Sequence, residues 1–274
     1  MNTSFVTPAA ETAPSVSPWS SLDTIEQYWN GRAASYSAEI YGEIDHGMLP
    51  AWQRVMERET DLLGGPQNVS ALDLGCGPGF FSMLLARMGC HVDAMDLSPD
   101  MLCQAAANAD REGLGKHIRF HRGDASDTGF AADSFDLIVL RNVTWLMQNP
   151  LAAYREWLRI LAPGGTLLVF DANWYRYLAD SAIEEQRARE QTDSSILERT
   201  EEMNATEEQE QTCERIAADL PMTYIDRPAW ELSVLPSLGY ATVEADEDIW
   251  RTVWPQGDQQ YYRSSPMFLV KATK

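Results

Sequence analysis

Residues 69–96 read VSALDLGCGPGFFSMLLARMGCHVDAMD. The stretch opens on a short apolar run, VSALDL (69–74), passes through Gly75-Cys76-Gly77-Pro78-Gly79 into an apolar helical pattern, and returns in a second run, HVDAMD (91–96). Strand, glycine turn, helix and strand form the unit from which parallel sheets are built. Glycines at such a turn let the chain bend sharply, bring the backbone close to a ligand and open a helix whose first N–H groups are free. A dinucleotide fingerprint is G-x-G-x-x-G/A. Here the third glycine falls at 79 and position 80 is Phe, so the pattern is G-x-G-x-G preceded by Asp73. The Gly-Lys-Ser/Thr ending of a phosphate loop is absent. Asp96 lies 21 residues beyond Gly75, about where a carboxylate accepts hydrogen bonds from ribose hydroxyls; on its own it reads equally as a solvated loop acid. The glycine loop and Asp96 together point to an adenosine-containing cofactor, and Gly123-Asp124-Ala125 offers a second carboxylate for an exocyclic amine.

Outward from this unit the same alternation continues. Further short apolar runs occur at 117–122, 135–140 and 166–171, with helical patterns between them. The clearest helix starts at Asn149-Pro150, a capping residue followed by a proline, and is expected to bury Leu151, Tyr154, Leu158 and Leu161 on one face. Near-continuous apolar strands alternating with helices mean a parallel sheet covered on both sides, a doubly wound α/β fold. Before it, Asp23-x-x-Glu26 is expected to cap a helix carrying Ile25, Tyr28 and Trp29, and a second helix is expected over 50–63. After it, residues 172–227 are rich in Glu, Gln and Ala, with no strand candidate. An excess of this length points to a lid or binding element. A helix over 228–238 and strands within 241–250 and 267–274 would close the sheet. The organisation expected is a disordered tail (1–20), an N-terminal helical cap (21–66), a cofactor core (67–171), a helical insertion or lid (172–227) and a C-terminal helix with closing strands (228–274).

Composition excludes several classes. The chain has 274 residues, 45% hydrophobic, and a formal net charge of −20. So acidic a chain is repelled by phosphate backbones and anionic membranes, and there is no basic stripe to offset this. Neither nucleic acid nor membrane is expected as a partner. The first 18 residues lack the basic and apolar regions of a signal peptide, no apolar run approaches a membrane span, and the four cysteines show no paired spacing. A cytoplasmic protein with reduced thiols is expected. No set of His, Cys and carboxylate side chains has metal-ligand spacing, so no metal is expected.

The motifs ALDLGCGPGFFSMLLA, MDLSPDMLCQA, RGDASD with FDLIVL, and LAPGGTLLVFD, in that order over about 71–171, resemble those of the class I S-adenosylmethionine-dependent methyltransferases, in the type 11 small-molecule group. The resemblance implies a Rossmann-like sheet of seven strands in the order 3-2-1-4-5-7-6, the last antiparallel, with helical cap elements. It implies S-adenosyl-L-methionine as cofactor, held by a loop of Asp73, Gly75, Cys76, Gly77 and Gly79, with Asp96 on the ribose. Leu97 and Met101 would pack against adenine, Asp124 and Ala125 would meet its edge, and Arg141 would border the sulfonium. WNGRAASY resembles a family segment whose tyrosine, here Tyr36, closes over the cofactor. The run Arg141-Asn142-Val143-Thr144-Trp145 departs from the Asn/Asp-Pro-Pro-aromatic pattern of base-amino methyltransferases.

Methyl transfer is an in-line displacement that depends on alignment and exclusion of water, and a general base is needed only when the nucleophile arrives protonated. Candidates for catalysis are His46, Arg141, Asn142, Asp171 and Asn173. Candidates for lining a substrate pocket are Tyr28, Tyr41, His46, Trp145, Asn173 and Trp174, although the tryptophans read equally as core. Three functions stay open: a small-molecule methyltransferase, a protein methyltransferase, and a non-enzymatic cofactor-binding protein. Charge adds a direction. Residues 1–70 carry 9 acidic and 3 basic side chains, and residues 172–227 carry 14 and 6. These acidic segments read either as solvated helix faces or as a cap favouring neutral or cationic acceptors over anionic ones. The acceptor atom, the substrate and the oligomeric state are not readable in the sequence.

Overall fold

The structure is a computed structural model that describes residues 18–45, 48–191 and 205–274. Seven strands form one sheet in the order β3-β2-β1-β4-β5-β7-β6. They are β1 (Ser70–Leu74), β2 (His91–Asp96), β3 (Ile118–Arg122), β4 (Phe135–Arg141), β5 (Leu161–Asp171), β6 (Thr242–Asp246) and β7 (Phe268–Thr273). The first five pair in parallel, and β7 runs antiparallel between β5 and β6. The order and the antiparallel last strand agree with the expectation from the motifs.

Alternation along the strands divides the core. Leu137 and Val139 of β4, with Leu168 and Phe170 of β5, pack on Trp52, Phe80 and Phe81. Ile138 and Leu140, with Leu167 and Val169, face Tyr154, Trp157 and Leu235 on the other side. Both faces are therefore covered, as near-continuous apolar strands require. The helices are α1 (Leu22–Asp45), α2 (Leu49–Leu62), α3 (Phe80–Met88), α4 (Pro99–Arg111), α5 (Pro150–Ile160), α6 (Ser181–Gln191), α7 (Glu207–Ala218), α8 (Ala229–Leu238), α9 (Ile249–Val253) and α10 (Gln256–Tyr261).

Local chemistry corrects three details. Helix α1 is capped by Ser21, whose Oγ accepts the Thr24 N–H at 3.2 Å, two residues earlier than an Asp23 cap would allow. Helix α5 is capped by Asn149 as expected, but its buried face is Pro150, Ala153, Tyr154, Trp157 and Ile160. Leu151 is left 38% exposed. The helix is turned by Trp157, whose indole N–H donates to the Ala125 carbonyl at 2.8 Å. The run 241–250 is not one strand: β6 stops at Asp246, and α9 follows with Ile249 and Val253 buried.

A third small core of Ile25, Trp145, Cys213, Ile216, Ala217 and Leu220 joins α1 and α7 to the segment after β4. Beneath it lies a fully buried ionic cluster. The Arg227 guanidinium donates to Asp171 (3.0 Å), Thr144 (2.6 Å) and Glu231 (2.5 Å). Asp171 also accepts from the Thr144 hydroxyl and the Trp174 indole. Removing one partner strands buried charge. Arg227→Met is expected to cost about 3–5 kcal/mol, read as a lower midpoint in urea unfolding.

Candidate functional site

The carboxyl ends of β1, β2, β3 and β4 open into one cavity with about 960 Å³ of empty space, part of it open to solvent. The strand order reverses between β1 and β4, the place where open α/β sheets bind ligands. Its floor is the glycine loop. Gly75 has φ +70°, and a Cβ there would lie 2.5 Å from a Val143 methyl, so only glycine is accommodated. Gly77 has φ +51° and lies under Tyr36, whose ring edge would be 3.7 Å from an added Cβ.

Carboxylates hold this loop. Asp96 accepts the Gly77 N–H on Oδ2 and the Ser98 N–H on Oδ1, both at 2.8 Å, tying the loop after β1 to the start of α4. Asp73 Oδ2 accepts the Ser82 N–H (2.7 Å) and hydroxyl (2.5 Å) in the first turn of α3. Burial pushes the Asp96 carboxyl up to about 6, against the pull of the Ser98, Gly77 and Leu97 amides. Burial likewise pushes Asp73 up to about 7, opposed by Ser82. Asp124 binds the Ser126 N–H at 2.8 Å through Oδ1. Arg141 spreads its guanidinium 4.9 Å from the Phe80 ring centre and 5.4 Å from that of Trp52.

Helix α1 roofs the cavity with Leu22, Ile25, Trp29, Tyr36 and Ile40. It is fastened by Glu26 to Arg122 (2.9 Å), by Asn30 Oδ1 accepting the Ser98 hydroxyl (2.6 Å), and by Ser37 Oγ accepting from Asn108 (3.0 Å). A second cavity, with about 1350 Å³ of empty space that is partly open to solvent, adjoins the first at Trp29, Tyr36 and Asn142, which line both. Its walls come from α1 (Tyr28, Arg32, Glu39), the segments after β4 and β5 (Trp145, Trp174, Tyr175, Tyr177), α6 (Arg187, Glu190), α7 (Glu210, Cys213, Glu214) and α10 with its sequel (Tyr261, Tyr262).

At the junction, Asn142 has φ +58°. Its backbone N–H donates to Phe170 O at 2.9 Å, and its carbonyl accepts from the Trp145 indole at 2.9 Å. Asn tolerates this left-handed conformation better than most residues. Its side-chain Oδ1 and the Trp29 indole N–H are buried without a hydrogen-bond partner among the described residues.

The structure gathers most of the residues singled out in the sequence. Tyr36, Asp73, Gly75, Cys76, Gly77, Asp96, Leu97, Met101, Asp124, Ala125, Arg141 and Asn142 line the first cavity, and Tyr28, Trp145 and Trp174 line the second. Gly79 lines neither; it begins α3 at φ +93°, against Ala105 of α4. Tyr41 turns away to α4, under the Arg111 guanidinium, with its hydroxyl donating to Asn108 O at 3.4 Å. Asp171 and Asn173 lie outside both cavities. The first is spent on the Arg227 cluster, and the second donates to the Arg227 carbonyl at 2.8 Å. His46 lies outside the described residues. Trp29, Arg32, Tyr36 and Glu39 recur at steps of three and four, a face of α1 that helical periodicity makes visible. Nothing in the local sequence marks Glu190, Tyr261 or Tyr262 as neighbours of that face. Among the described residues no group of three His, Cys, Asp or Glu side chains could hold a metal ion. No helix among them is long and apolar enough to cross a membrane.

Residues 72–169 match the family described as methyltransferase domain. The chain is 32% identical over 145 residues to trans-aconitate 2-methyltransferase of Streptomyces avermitilis, covering 50% of this chain and 52% of that protein. It is 31% identical over 158 residues to the release factor glutamine methyltransferase of Chlorobaculum tepidum, covering 51% and 53%. The structure of a candidate sarcosine dimethylglycine methyltransferase from Galdieria sulphuraria superposes with a TM-score of 0.52 at 15% identity, covering 81% of this chain and 84% of that one. The chain spans about half or less of the length of the curated relatives it matches. The matched segment runs from β1 to β5 and resembles a methyltransferase domain, and the sheet has the Rossmann-like fold of that structural neighbour.

The loop geometry has a direct check. Gly75→Ala should cost about 1–3 kcal/mol through backbone strain and overpacking against Val143. Gly31→Ala, where an added Cβ meets nothing within 4 Å, should leave stability unchanged or raise it. Thermal unfolding of the two variants side by side reads the difference.

Proposed function

We propose that the chain binds S-adenosyl-L-methionine in the first cavity and transfers its methyl group to a small molecule held in the second. The observation that carries this reading is the shared wall: Trp29, Tyr36 and Asn142 border both cavities, so the two ligands would meet there. The residues of the first cavity fit the cofactor. Gly75 and Gly77 line it with bare backbone at φ +70° and +51°, a conformation that favours glycine. Each Asp96 oxygen accepts one amide and keeps a further lone pair for ribose hydroxyls. Leu97 and Met101 supply apolar surface for adenine, Asp124 an acceptor for its amine, and Arg141 and Tyr36 border the reacting end.

The cofactor supplies an activated methyl group on a sulfonium. The protein's part is to align the acceptor and to exclude water, which α1 does by roofing both cavities. Asn142 can accept a hydrogen from the incoming nucleophile and so orient its lone pair. A small acceptor is favoured over a protein because side chains from α1, α6, α7 and α10 converge on the second cavity from several parts of the fold. The acidity of these segments favours a neutral or cationic acceptor. A cytoplasmic setting is supported by the four cysteines, all of which are free thiols.

Calorimetry with S-adenosylmethionine tests the assignment. Asp96→Asn should weaken binding at least about tenfold, since hydrogen bonds to a charged group are lost. With the Asp96 carboxyl near 6, protonation on lowering the pH removes the acceptor. Affinity should therefore fall between pH 7 and 5 in the native chain, and the step near pH 6 should vanish in Asp96→Asn. Unchanged affinity in the variant would sink the cofactor assignment.

A further inference from the structure

The second cavity narrows the acceptor further. Nine of its twenty lining side chains are Tyr or Trp, against 10% aromatic residues in the chain. They arrive from four separate parts of the fold, α1, the segment after β4, the segment after β5, and α10, so no single helix stripe or core layer accounts for the enrichment. Aromatic faces carry negative potential and attract cations once water is removed.

The charged groups of the lining point the same way. Four carboxylates, Glu39, Glu190, Glu210 and Glu214, face two guanidinium groups. Arg32 is held by Glu39 at 2.8 Å. Arg187 sits 3.9 Å over the Tyr177 ring and 3.8 Å from Glu214. Both cations of the described lining are thus engaged, two negative charges are left in excess, and no ion pair to Glu210 occurs among the described residues. The described lining thus offers an anionic acceptor no cation that lacks a carboxylate neighbour.

We propose that the second cavity is an amine site, and that the methyl acceptor is an amine nitrogen on a small organic molecule; this rests on the methyltransferase reading above. In the step, an amine that arrives as an ammonium first loses a proton to water; the neutral nitrogen's lone pair then forms the new C–N bond while the C–S bond of the sulfonium breaks, its electron pair staying on sulfur. Positive charge passes from the first cavity to the second, onto a nitrogen that becomes an ammonium. A primary or secondary amine then sheds its proton to water. The aromatic faces and excess carboxylates stabilise this charge as it develops, which is where stabilisation accelerates a reaction. Asn142 Oδ1, buried at the junction without a partner, accepts an N–H of a primary or secondary amine.

The test uses the full chain and three probes of matched size: benzyltrimethylammonium, benzyl alcohol and phenylacetate. Each is titrated with S-adenosylhomocysteine present and followed by quenching of tryptophan fluorescence, since Trp29, Trp145 and Trp174 line the cavity. The quaternary cation should bind at least about tenfold more tightly than either of the others. Glu190→Gln with Glu210→Gln should weaken the cation about three- to tenfold and leave benzyl alcohol unmoved. Incubation with S-adenosylmethionine should methylate members of a phenethylamine series in preference to matched phenols and carboxylates. Equal binding of the three probes, tighter binding of phenylacetate, or methylation of carboxylates or phenols in preference to amines would overturn the proposal. Calorimetry of S-adenosylmethionine on the same preparation separates the two levels. If the cofactor binds and the cation preference is missing, the amine assignment fails alone; if the cofactor does not bind, the methyltransferase reading fails as well.

Discussion

The architecture of the site depends on the two hydrogen bonds accepted by one carboxylate. Asp96 stands at the end of β2, yet its oxygens hold Gly77, from the turn after β1, and Ser98, at the start of α4. Three segments are thereby fixed to one another at the sheet's edge. Ser98 in turn uses its oxygen twice, accepting the Met101 N–H that begins α4 and donating to Asn30 of α1. The roof is thus anchored to the same point that shapes the floor. Holding an ionised carboxylate in so dry a place is costly, which is why its proton affinity is raised; amide donors on both oxygens make the arrangement tolerable.

How far the fold was legible depended on how much of each signal was local. Strands β1, β2, β4 and β5 announce themselves because they lie inside the sheet with both faces largely buried, so most of each run is apolar; β3, at the edge, buries only Ile118. Strand β6 lies at the sheet's edge with no residue fully buried, and its short apolar pattern merges in sequence with α9. What separates them is a turn in which Asp246 accepts the Asp248 N–H at 2.9 Å. Five residues of helix carry too few turns for periodicity to register. Likewise the face of α5 was set by a long-range bond from Trp157 to Ala125, which no pattern within the helix could supply.

The site shows the same division. Asp73, Gly75, Gly77 and Asp96 are legible because the loop and the strand end lie on one βαβ unit, where spacing and geometry are nearly the same thing. The second cavity is assembled from α1, α6, α7, α10 and two strand ends, parts that meet only in the folded chain. Asp171 illustrates the opposite error. An acid at the end of β5 has the address of a functional residue, but Arg227, 56 positions later, takes it up. Position on the sheet told where Asp171 would be, and only the distant partner decided what it would do.

Helix α1 places Trp29 and Tyr36 on both cavities at once. The two chambers are therefore not separate rooms with separate doors. A displacement of this helix would reshape both at once, because the same two side chains stand between them. Of its fastenings, the Glu26–Arg122 pair is at the surface, where such contacts contribute about 0–1 kcal/mol. The wall common to both compartments thus belongs to one long helix with a weak outer clasp.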